Sequence, residues 1–464
     1  MSMNMSAHGN KKTAAGRNKT MKKLPLCSVL AASFLLSACG VADWLGDKPK
    51  KAPLQGERIS VLSHDSALRP EPDAGKAEPF TAPAMVANSA WQGAGGIPSH
   101  AMQHLAFTEK QPQKIWSSGI GQGARKNLPL TAQPVVAGQS IFALDTDSKL
   151  SSYDTATGKR RWSVDVANPE ERGSVISGGI AYDNGLVYIA SGYNEILAAD
   201  AQTGEIKWRS PLPSPSRAAP TVAGGRVYVT TLSNNFLALD AATGAVLWDF
   251  TGLGQNTGLI GAASPAVAGD MVIPAFSSGE IYALRAGNGS VAWSDTLAGT
   301  TRLGGISALS DIRGLPVVVD NVVYAISYGG RMAAIDLVTG ARIWVKDISG
   351  SKTPWVAGKR IFVISADNQI IALDKAGGAV LWVSQLARFQ NPQNSEGPIV
   401  WNGPVLAGGR LLAFSSDGRA AEISPEAGTL VREWRTGKNV MIPPVLAGET
   451  LYILSNDGEL TAYR

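Results

Sequence analysis

One short sequence word recurs along this chain and constrains its fold more than any other feature. It ends in tryptophan, and most copies carry an aspartate, a threonine and a glycine before it. The five clearest copies are SSYDTATGKRRW (151–162), LAADAQTGEIKW (197–208), LALDAATGAVLW (237–248), AAIDLVTGARIW (333–344) and IALDKAGGAVLW (371–382). Strand-like runs flank a polar turn in which Asp240 and Thr243 can accept hydrogen bonds from turn amides and Gly244 can take positive φ, so the word predicts a β-hairpin. A hairpin repeated this often is expected to serve construction rather than catalysis.

The tryptophans give the length of the repeat. They stand at Trp162, Trp208, Trp248, Trp293, Trp344, Trp382 and Trp434, separated by 38 to 52 residues, with Trp116 46 residues before the first. A repeat of this length that contains four short strands is typical of a β-propeller blade. We expect each indole to pack against the neighbouring blade, because a single blade cannot bury its own faces.

The starts of the repeats give the number of blades. Seven are marked by proline and an eighth by the run GGIAYDNG near Ile180; the prolines are Pro134, Pro220, Pro265, Pro316, Pro354, Pro404 and Pro444. The last repeat ends at Arg464 before its own tryptophan, whereas Trp116 has no blade of its own. The sequence therefore predicts an all-β, eight-bladed β-propeller with four antiparallel strands per blade, closed by pairing of N- and C-terminal strands, which removes the free sheet edges.

The N-terminal region has the features of an export signal. From Met21, two lysines precede about fifteen mostly apolar residues, fewer than the roughly 20 needed to span a bilayer as a helix. The stretch LSAC, which ends at Cys39, resembles a bacterial lipobox, in which the cysteine is acylated and becomes the mature N-terminus. Gly40 follows the cysteine and favours the outer membrane. A cleaved signal with a chance cysteine is the alternative, and translation could start at Met1 or Met21.

Three regions follow from these patterns. Residues 1–38 are predicted to be a lipoprotein signal peptide, residues 39–104 a lipidated N-terminus and proline-rich tether, and residues 105–464 the propeller. Without residues 1–38, which carry six of the 42 basic residues and no acidic one, the chain is close to neutral. That charge balance gives no electrostatic argument for nucleic-acid binding.

The distribution of reactive side chains excludes several chemistries. Both cysteines, Cys27 and Cys39, and all four histidines, His8, His64, His100 and His104, precede residue 105. The propeller sequence therefore has no disulfide, no thiol nucleophile, no Ser-His-Asp triad and no histidine- or cysteine-ligated metal. We expect no catalytic residues, no cofactor and no metal.

The words DAATGAVLW and DAQTGEIKW are similar to the repeat of quinoprotein dehydrogenases. Together with the lipobox, the segment WSSGIG and residues 309–344, they make the chain resemble the BamB family, lipoproteins of the outer-membrane β-barrel assembly machinery. The resemblance covers residue 110 to the C-terminus. It implies a non-catalytic scaffold on the periplasmic face of the outer membrane that binds the POTRA domains of BamA and assists folding and insertion of outer-membrane proteins, with other subunits of the machinery and unfolded barrel precursors as further partners.

The resemblance also implies a contact site in two inter-blade connections, 256–265 and 306–316. By position, Leu259 matches a family leucine and Asp311 a family aspartate, whereas Ile260 and Arg313 replace a typical arginine and a typical aspartate. The glycine-rich stretch 251–264, which overlaps the first connection, also contains Leu253, which with Leu259 and Ile260 would form a modest apolar patch suited to a partner. Two alternatives to the scaffold are a quinoprotein dehydrogenase, which the absence of cysteines and of room for pocket-building insertions argues against, and a periplasmic ligand-binding propeller.

The lipid anchor can be tested at one residue. Cys39→Ser removes the only thiol in the lipobox, so the protein should move from the outer-membrane fraction to the soluble periplasm or remain unprocessed, as followed by fractionation and intact mass. Unchanged mass and unchanged membrane association would rule out lipidation at Cys39.

Overall fold

The strands of this chain form small sheets arranged around an axis. The computed structural model describes residues 68–72, 78–170, 173, 175–254, 260–299 and 310–464, and the predicted signal peptide and predicted lipidation site at Cys39 lie outside this range. Within the described residues the regular structure is entirely β-strand. They include no helix long and apolar enough to cross a membrane.

Eight four-stranded antiparallel sheets form the blades of a propeller, which confirms the predicted fold class. Blades 1 to 4 are formed by the second to the seventeenth strand in chain order, four strands to each blade. The strands up to the end of blade 4 are β1 Lys114–Gly119, β2 Val135–Ala137, β3 Ser140–Leu144, β4 Lys149–Asp154, β5 Arg160–Asp165, β6 Gly179–Asp183, β7 Leu186–Ala190, β8 Glu195–Asp200, β9 Ile206–Pro211, β10 Thr221–Ala223, β11 Arg226–Thr230, β12 Asn235–Asp240, β13 Val246–Thr251, β14 Ala266–Ala268, β15 Met271–Ile273, β16 Glu280–Arg285 and β17 Val291–Thr296.

Blades 5 and 6 contain β18 to β25, a two-stranded hairpin of β26 and β27 follows, and blade 7 contains β28 to β31. The remaining strands are β18 Val317–Val319, β19 Val322–Ile326, β20 Met332–Asp336, β21 Arg342–Lys346, β22 Trp355–Ala357, β23 Arg360–Ile364, β24 Gln369–Asp374, β25 Val380–Gln385, β26 Phe389–Asn391, β27 Glu396–Pro398, β28 Trp401–Ala407, β29 Arg410–Ser415, β30 Arg419–Ile423, β31 Leu430–Arg435, β32 Val445–Ala447, β33 Thr450–Leu454 and β34 Glu459–Tyr463. Six of the seven prolines directly precede the first strand of a blade, whereas Pro404 lies within β28 at a register shift.

Blade 8 is made from both ends of the propeller. Its strands β32, β33 and β34 are completed by β1, which pairs antiparallel with β34 so that Trp116 lies opposite Ala462. The predicted closure between N- and C-terminal strands is therefore confirmed. It leaves no blade with an unpaired third strand.

The hydrophobic core lies between adjacent blades. In blades 2 and 3, for example, Tyr188, Ala198 and Ile196 pack in one cluster with Val227 and Leu239. In blade 3 the second and third strands are almost fully buried, whereas the fourth strand has only exposed and half-buried residues. This difference follows from position, because the middle strands are covered on both faces and the outer strand meets solvent.

Each repeat tryptophan docks on the turn of the next blade. The indole nitrogen of Trp208 donates to the carbonyl of Ala241 at 3.2 Å, and a Cβ on Gly244 would lie 2.5 Å from the Trp208 ring. The same pair of contacts is made by Trp116, Trp162, Trp248, Trp293, Trp344 and Trp382. Within the turn, Asp240 accepts from the amides of Ala242 and Thr243 and from the Thr243 hydroxyl, as predicted.

The prediction that Trp434 is equivalent to the other repeat tryptophans is wrong. In the other repeats the tryptophan comes eight residues after the residue that starts the turn, but in blade 7 that position is Arg432, counted from Ser424. Arg432 pairs in register with Glu422, as Trp248 pairs with Ala238. The Arg432 guanidinium contacts the Glu422 carboxylate at 2.5 Å, and Trp434, two residues later, donates to the same carboxylate at 3.0 Å.

The position of this exception has a structural reason. Blade 8 takes its outer strand from β1, so it has no hairpin between its third and fourth strands and offers no turn to receive an indole. Trp434 instead packs edge-on against Tyr463 of β34 at a centroid distance of 5.4 Å. The contact across the joint between blades 7 and 8 is thus aromatic rather than a docked turn, whereas the Arg432–Glu422 ion pair lies within blade 7.

A segment upstream of β1 runs around the inner edges of the blades, and we call residues 83–107 the cap segment. Trp91 exchanges two backbone hydrogen bonds with Val136 of blade 1, and Ser99 accepts from Val318 of blade 5. Further hydrogen bonds reach blades 2, 4, 6, 7 and 8. Because Trp91 and Leu105 are buried, the packed unit starts upstream of residue 105, the predicted boundary between tether and propeller.

The docking of indole on glycine gives a matched pair of variants. Gly244 and Gly225 have nearly the same φ, +74° and +71°, but only Gly244 contacts a tryptophan, whereas a Cβ on Gly225 would meet nothing within 4 Å. Gly225→Ala should lose only the backbone preference, about 1–2 kcal/mol. Gly244→Ala should lose about 2–5 kcal/mol, since the indole must also move. Urea unfolding of both variants measures the difference, and equal losses would contradict the docking role.

Candidate functional site

A cavity of about 520 Å³ lies at the centre of the ring. Every blade contributes to its wall through the residues that precede or begin its inner strand, and the cap segment contributes Trp91, Gly95 and His100. Apolar side chains form much of the wall, among them Leu130, Leu315, Trp355, Val405 and Ile442. The size and the mainly apolar lining are those of a small-molecule pocket.

The charged residues in the wall are all basic. They are Arg125, Arg217, Arg313 and Lys352, and no aspartate or glutamate is among the described residues that line the cavity. Arg125 forms an ion pair with the exposed carboxylate of Asp147. The other three cations form no ion pair with a carboxylate among the described residues within 4.0 Å, although Asp311 acts electrostatically on Arg313.

Lys352 is the most perturbed of these groups. Its ammonium donates to the neutral amide oxygen of Asn402 at 2.7 Å. Burial, followed by repulsion from Arg313, lowers the pKa of Lys352 to about 7. Burial likewise lowers the pKa of Arg313, against the opposing effect of Asp311. The cavity wall is therefore short of negative charge.

His100 adds a polar atom without a partner. Its Nδ1 lies 2.7 Å from the carbonyl oxygen of Pro316, so Nδ1 donates and Nε2 is left as an acceptor. The ring is buried, and Nε2 has no hydrogen-bond partner among the described residues. Burial lowers the pKa of His100 to about 4, although the Pro316 carbonyl opposes this. His100 is thus neutral at neutral pH.

The two connections predicted to form the partner site meet at the mouth of this cavity. A Cβ on Gly261 would lie 3.0 Å from Nε of Arg313, so the first connection contacts the second. Ile260 and Arg313 both line the cavity. Leu253 and Ile260 are 65% and 50% exposed, so each presents apolar area to solvent. We call Leu253, Ile260 and Arg313 the mouth surface.

One other predicted site residue, Asp311, is placed differently from the prediction. Asp311 is only 4% exposed, and its carbonyl accepts from the amide of Tyr328 at 2.8 Å. Its carboxylate therefore does not project to a partner as expected, because the connection folds back into the blade at this point; it acts on Arg313 instead. Leu259 and Cys39 lie outside the described residues.

Residues of the cavity wall recur at a fixed position in the sequence, outside the repeated word. The residue three positions before a blade-opening proline lines the cavity in six blades, at Thr131, Arg217, Ala262, Arg313, Ser351 and Met441. Two of these six residues are arginines, and Lys352 follows Ser351 directly. Lys352 and His100 were not predicted as site residues, and neither belongs to the repeated word.

Solved structures with this architecture define the class of protein. The chain resembles a quinohemoprotein alcohol dehydrogenase from Comamonas testosteroni with a TM-score of 0.62 and 14% identity, covering 81% of this chain and 80% of that one. BamB from Moraxella catarrhalis gives a TM-score of 0.65 and 23% identity over 76% of this chain and all of that one. These similarities show that the chain shares its fold, an eight-bladed propeller, with both solved structures.

Sequence comparison is more specific. A family model described as "Outer membrane protein assembly factor BamB" matches residues 101–172 and 146–384. The BamB proteins of Yersinia pestis and Escherichia coli are 28% and 27% identical to this chain, over 78% and 77% of it and 92% and 90% of their own lengths. The chain belongs to the BamB family of outer membrane protein assembly factors.

This membership agrees with the expectation of a non-catalytic protein, since the relatives are assembly factors and the dehydrogenases are similar in fold alone. The described residues also contain no group of three or more histidine, cysteine, aspartate or glutamate side chains arranged to hold a metal ion.

The lowered pKa of Lys352 predicts a pH-dependent effect of removing its charge. Since the folded pKa of about 7 lies below the ordinary 10.5, the unfolded chain binds a proton between these values that the folded chain does not. The loss in free energy of unfolding caused by burying the charged ammonium is therefore greatest below the folded pKa, and it decreases as the pH approaches 10.5. Lys352→Met should stabilise the protein more at about pH 6 than at about pH 9.5, as measured by urea unfolding of both proteins at each pH. An equal effect at both pH values would contradict the desolvation of Lys352.

Proposed function

We propose that this chain is a lipid-anchored, non-catalytic scaffold of the outer-membrane β-barrel assembly machinery, and that its mouth surface binds the POTRA domains of BamA. In this role it assists the folding and insertion of outer-membrane proteins. Membership of the BamB family supports the general role. The observation that supports the site is the meeting of the two connections at one face, where Gly261 lies against Arg313.

The chemistry of the mouth surface suits a protein partner. Leu253 and Ile260 expose apolar area on connections that are anchored at their ends. The Leu253 amide donates to Glu280 at 2.9 Å, and its carbonyl accepts from Asn234 at 2.6 Å. An exposed apolar residue held in this way can be buried by a partner with little loss of backbone entropy.

The charge that this chain would present to its partner differs from the charge that the family pattern implies. Asp311 supports Arg313 from within the protein, and Arg313, in place of the typical aspartate, would present the charge. Arg313 would then suit an acidic or carbonyl-rich surface of the partner. Leu259 remains a proposed contact by its position in the family pattern.

The partner site can be tested by co-purification. Leu253→Asp combined with Ile260→Asp should reduce recovery of BamA from detergent-solubilised outer membranes by about tenfold or more, since loss of an apolar anchor costs about 1–4 kcal/mol. Leu259→Ala in the same assay tests the contact implied by the family. Melting should stay close to wild type, because both aspartates would replace exposed side chains.

A matched control uses an apolar residue elsewhere on the ring. Val338 is 63% exposed in the outer turn of blade 5, so Val338→Asp adds a charge at similar exposure far along the chain from both connections. BamA recovery should be unchanged for Val338→Asp. Wild-type recovery with the folded Leu253/Ile260 double variant would refute the mouth surface as the binding site.

A further inference from the structure

The central cavity holds more positive charge than its own residues neutralise. Lys352 is hydrogen-bonded only to the neutral Asn402 among the described residues, and Arg217 forms no ion pair within 4.0 Å there. Arg313 likewise forms no ion pair within 4.0 Å, and only the electrostatic effect of Asp311 opposes its charge. The stretches 255–259 and 300–309, which directly precede the described parts of the two connections in sequence, contain no aspartate or glutamate. Cations in a partly desolvated wall without a counter-charge are unfavourable unless something else supplies the charge.

A second observation points to a bound molecule at the same place. His100 is buried in the cavity wall with Nε2 unpartnered, and buried polar atoms in proteins are nearly always hydrogen-bonded. The Nδ1 contact with Pro316 holds the ring so that Nε2 remains the free acceptor. A ligand hydroxyl, amide or protonated acid could satisfy it.

The remaining wall selects the kind of ligand. Apolar side chains line the cavity together with the cations. The volume of about 520 Å³ suits an organic molecule that contains a ring system rather than a bare inorganic ion. Access is at the mouth, where Arg125, Ile260 and Met441 line the cavity and are also exposed to solvent.

We propose that the central cavity binds a small organic anion, with a carboxylate held by Lys352, Arg313 and Arg217 and an apolar body held by the surrounding wall. Arginine is suited to pair with a carboxylate through two parallel hydrogen bonds, and lysine adds a point charge. The ligand site does not depend on the scaffold role, because Lys352 and Arg217 belong to the cavity wall alone; Arg313 belongs to both the cavity wall and the mouth surface.

Calorimetric titration of the full-length, detergent-solubilised protein tests this site. The probe is 2-naphthoate, and the matched neutral probe is 2-naphthamide, which has the same ring without the charge. We expect saturable binding of 2-naphthoate and about tenfold or more weaker binding of 2-naphthamide. Inorganic phosphate, which has charge without an apolar body, should bind more weakly than 2-naphthoate. No binding of 2-naphthoate, or equal binding of the naphthamide, would overturn the proposal.

Three variants assign the binding to the cavity. Lys352→Met and Arg217→Gln should each weaken 2-naphthoate binding by about tenfold. Lys126→Met should leave it unchanged, because Lys126 is exposed and is not among the residues that line the cavity. Melting curves confirm that each variant is folded, and Arg217→Gln keeps the test decisive if Lys352→Met does not fold. Wild-type affinity in either folded cavity variant would place the binding elsewhere.

Discussion

The contact between an indole and the glycine of the next blade is the interaction on which this architecture depends. Seven tryptophans each donate one hydrogen bond to a turn carbonyl and lie against a glycine in the left-handed region, where any side chain would collide with the ring. A blade by itself would leave both faces of its sheet uncovered, so its stability comes from its neighbours. Each copy of the repeated word therefore contributes to two successive joints. Its turn receives the indole of the preceding blade, and its own tryptophan docks on the turn of the following blade.

Much of the fold could be predicted because it is periodic. The eight blades, the turn chemistry of Asp240 and Thr243, and the closure by β1 follow from spacing and from an unfinished last repeat. The role of Trp434 could not be predicted from the recurrence of tryptophan, because its two-residue offset matters only once blade 8 is seen to lack a turn. The cap segment was missed since it makes irregular backbone contacts, which leave no periodic pattern in the sequence.

The candidate sites were less predictable than the fold. Family pattern placed Ile260 and Arg313 on neighbouring connections, and the structure brings these connections together. The exposure of a side chain, however, depends on how each connection folds back, so Asp311 is buried although it lies in a connection between blades. The four cations of the cavity precede the first strands of four different blades, and only closure of the ring brings Arg217 and Lys352 to one wall.

The cap segment has a consequence for the order in which the molecule can assemble. Its residues are made before any blade, yet Asn88 contacts Leu446 across 358 positions, and β1 waits for β34. Most contacts within a blade are local and can form as each repeat emerges, whereas loop-closure entropy opposes these two until the chain is nearly complete. Ring closure is therefore a late step. A chain that stops before its last fifty residues would leave β1 without its partner strand, and such an unpaired strand is a target for chaperones or for aggregation.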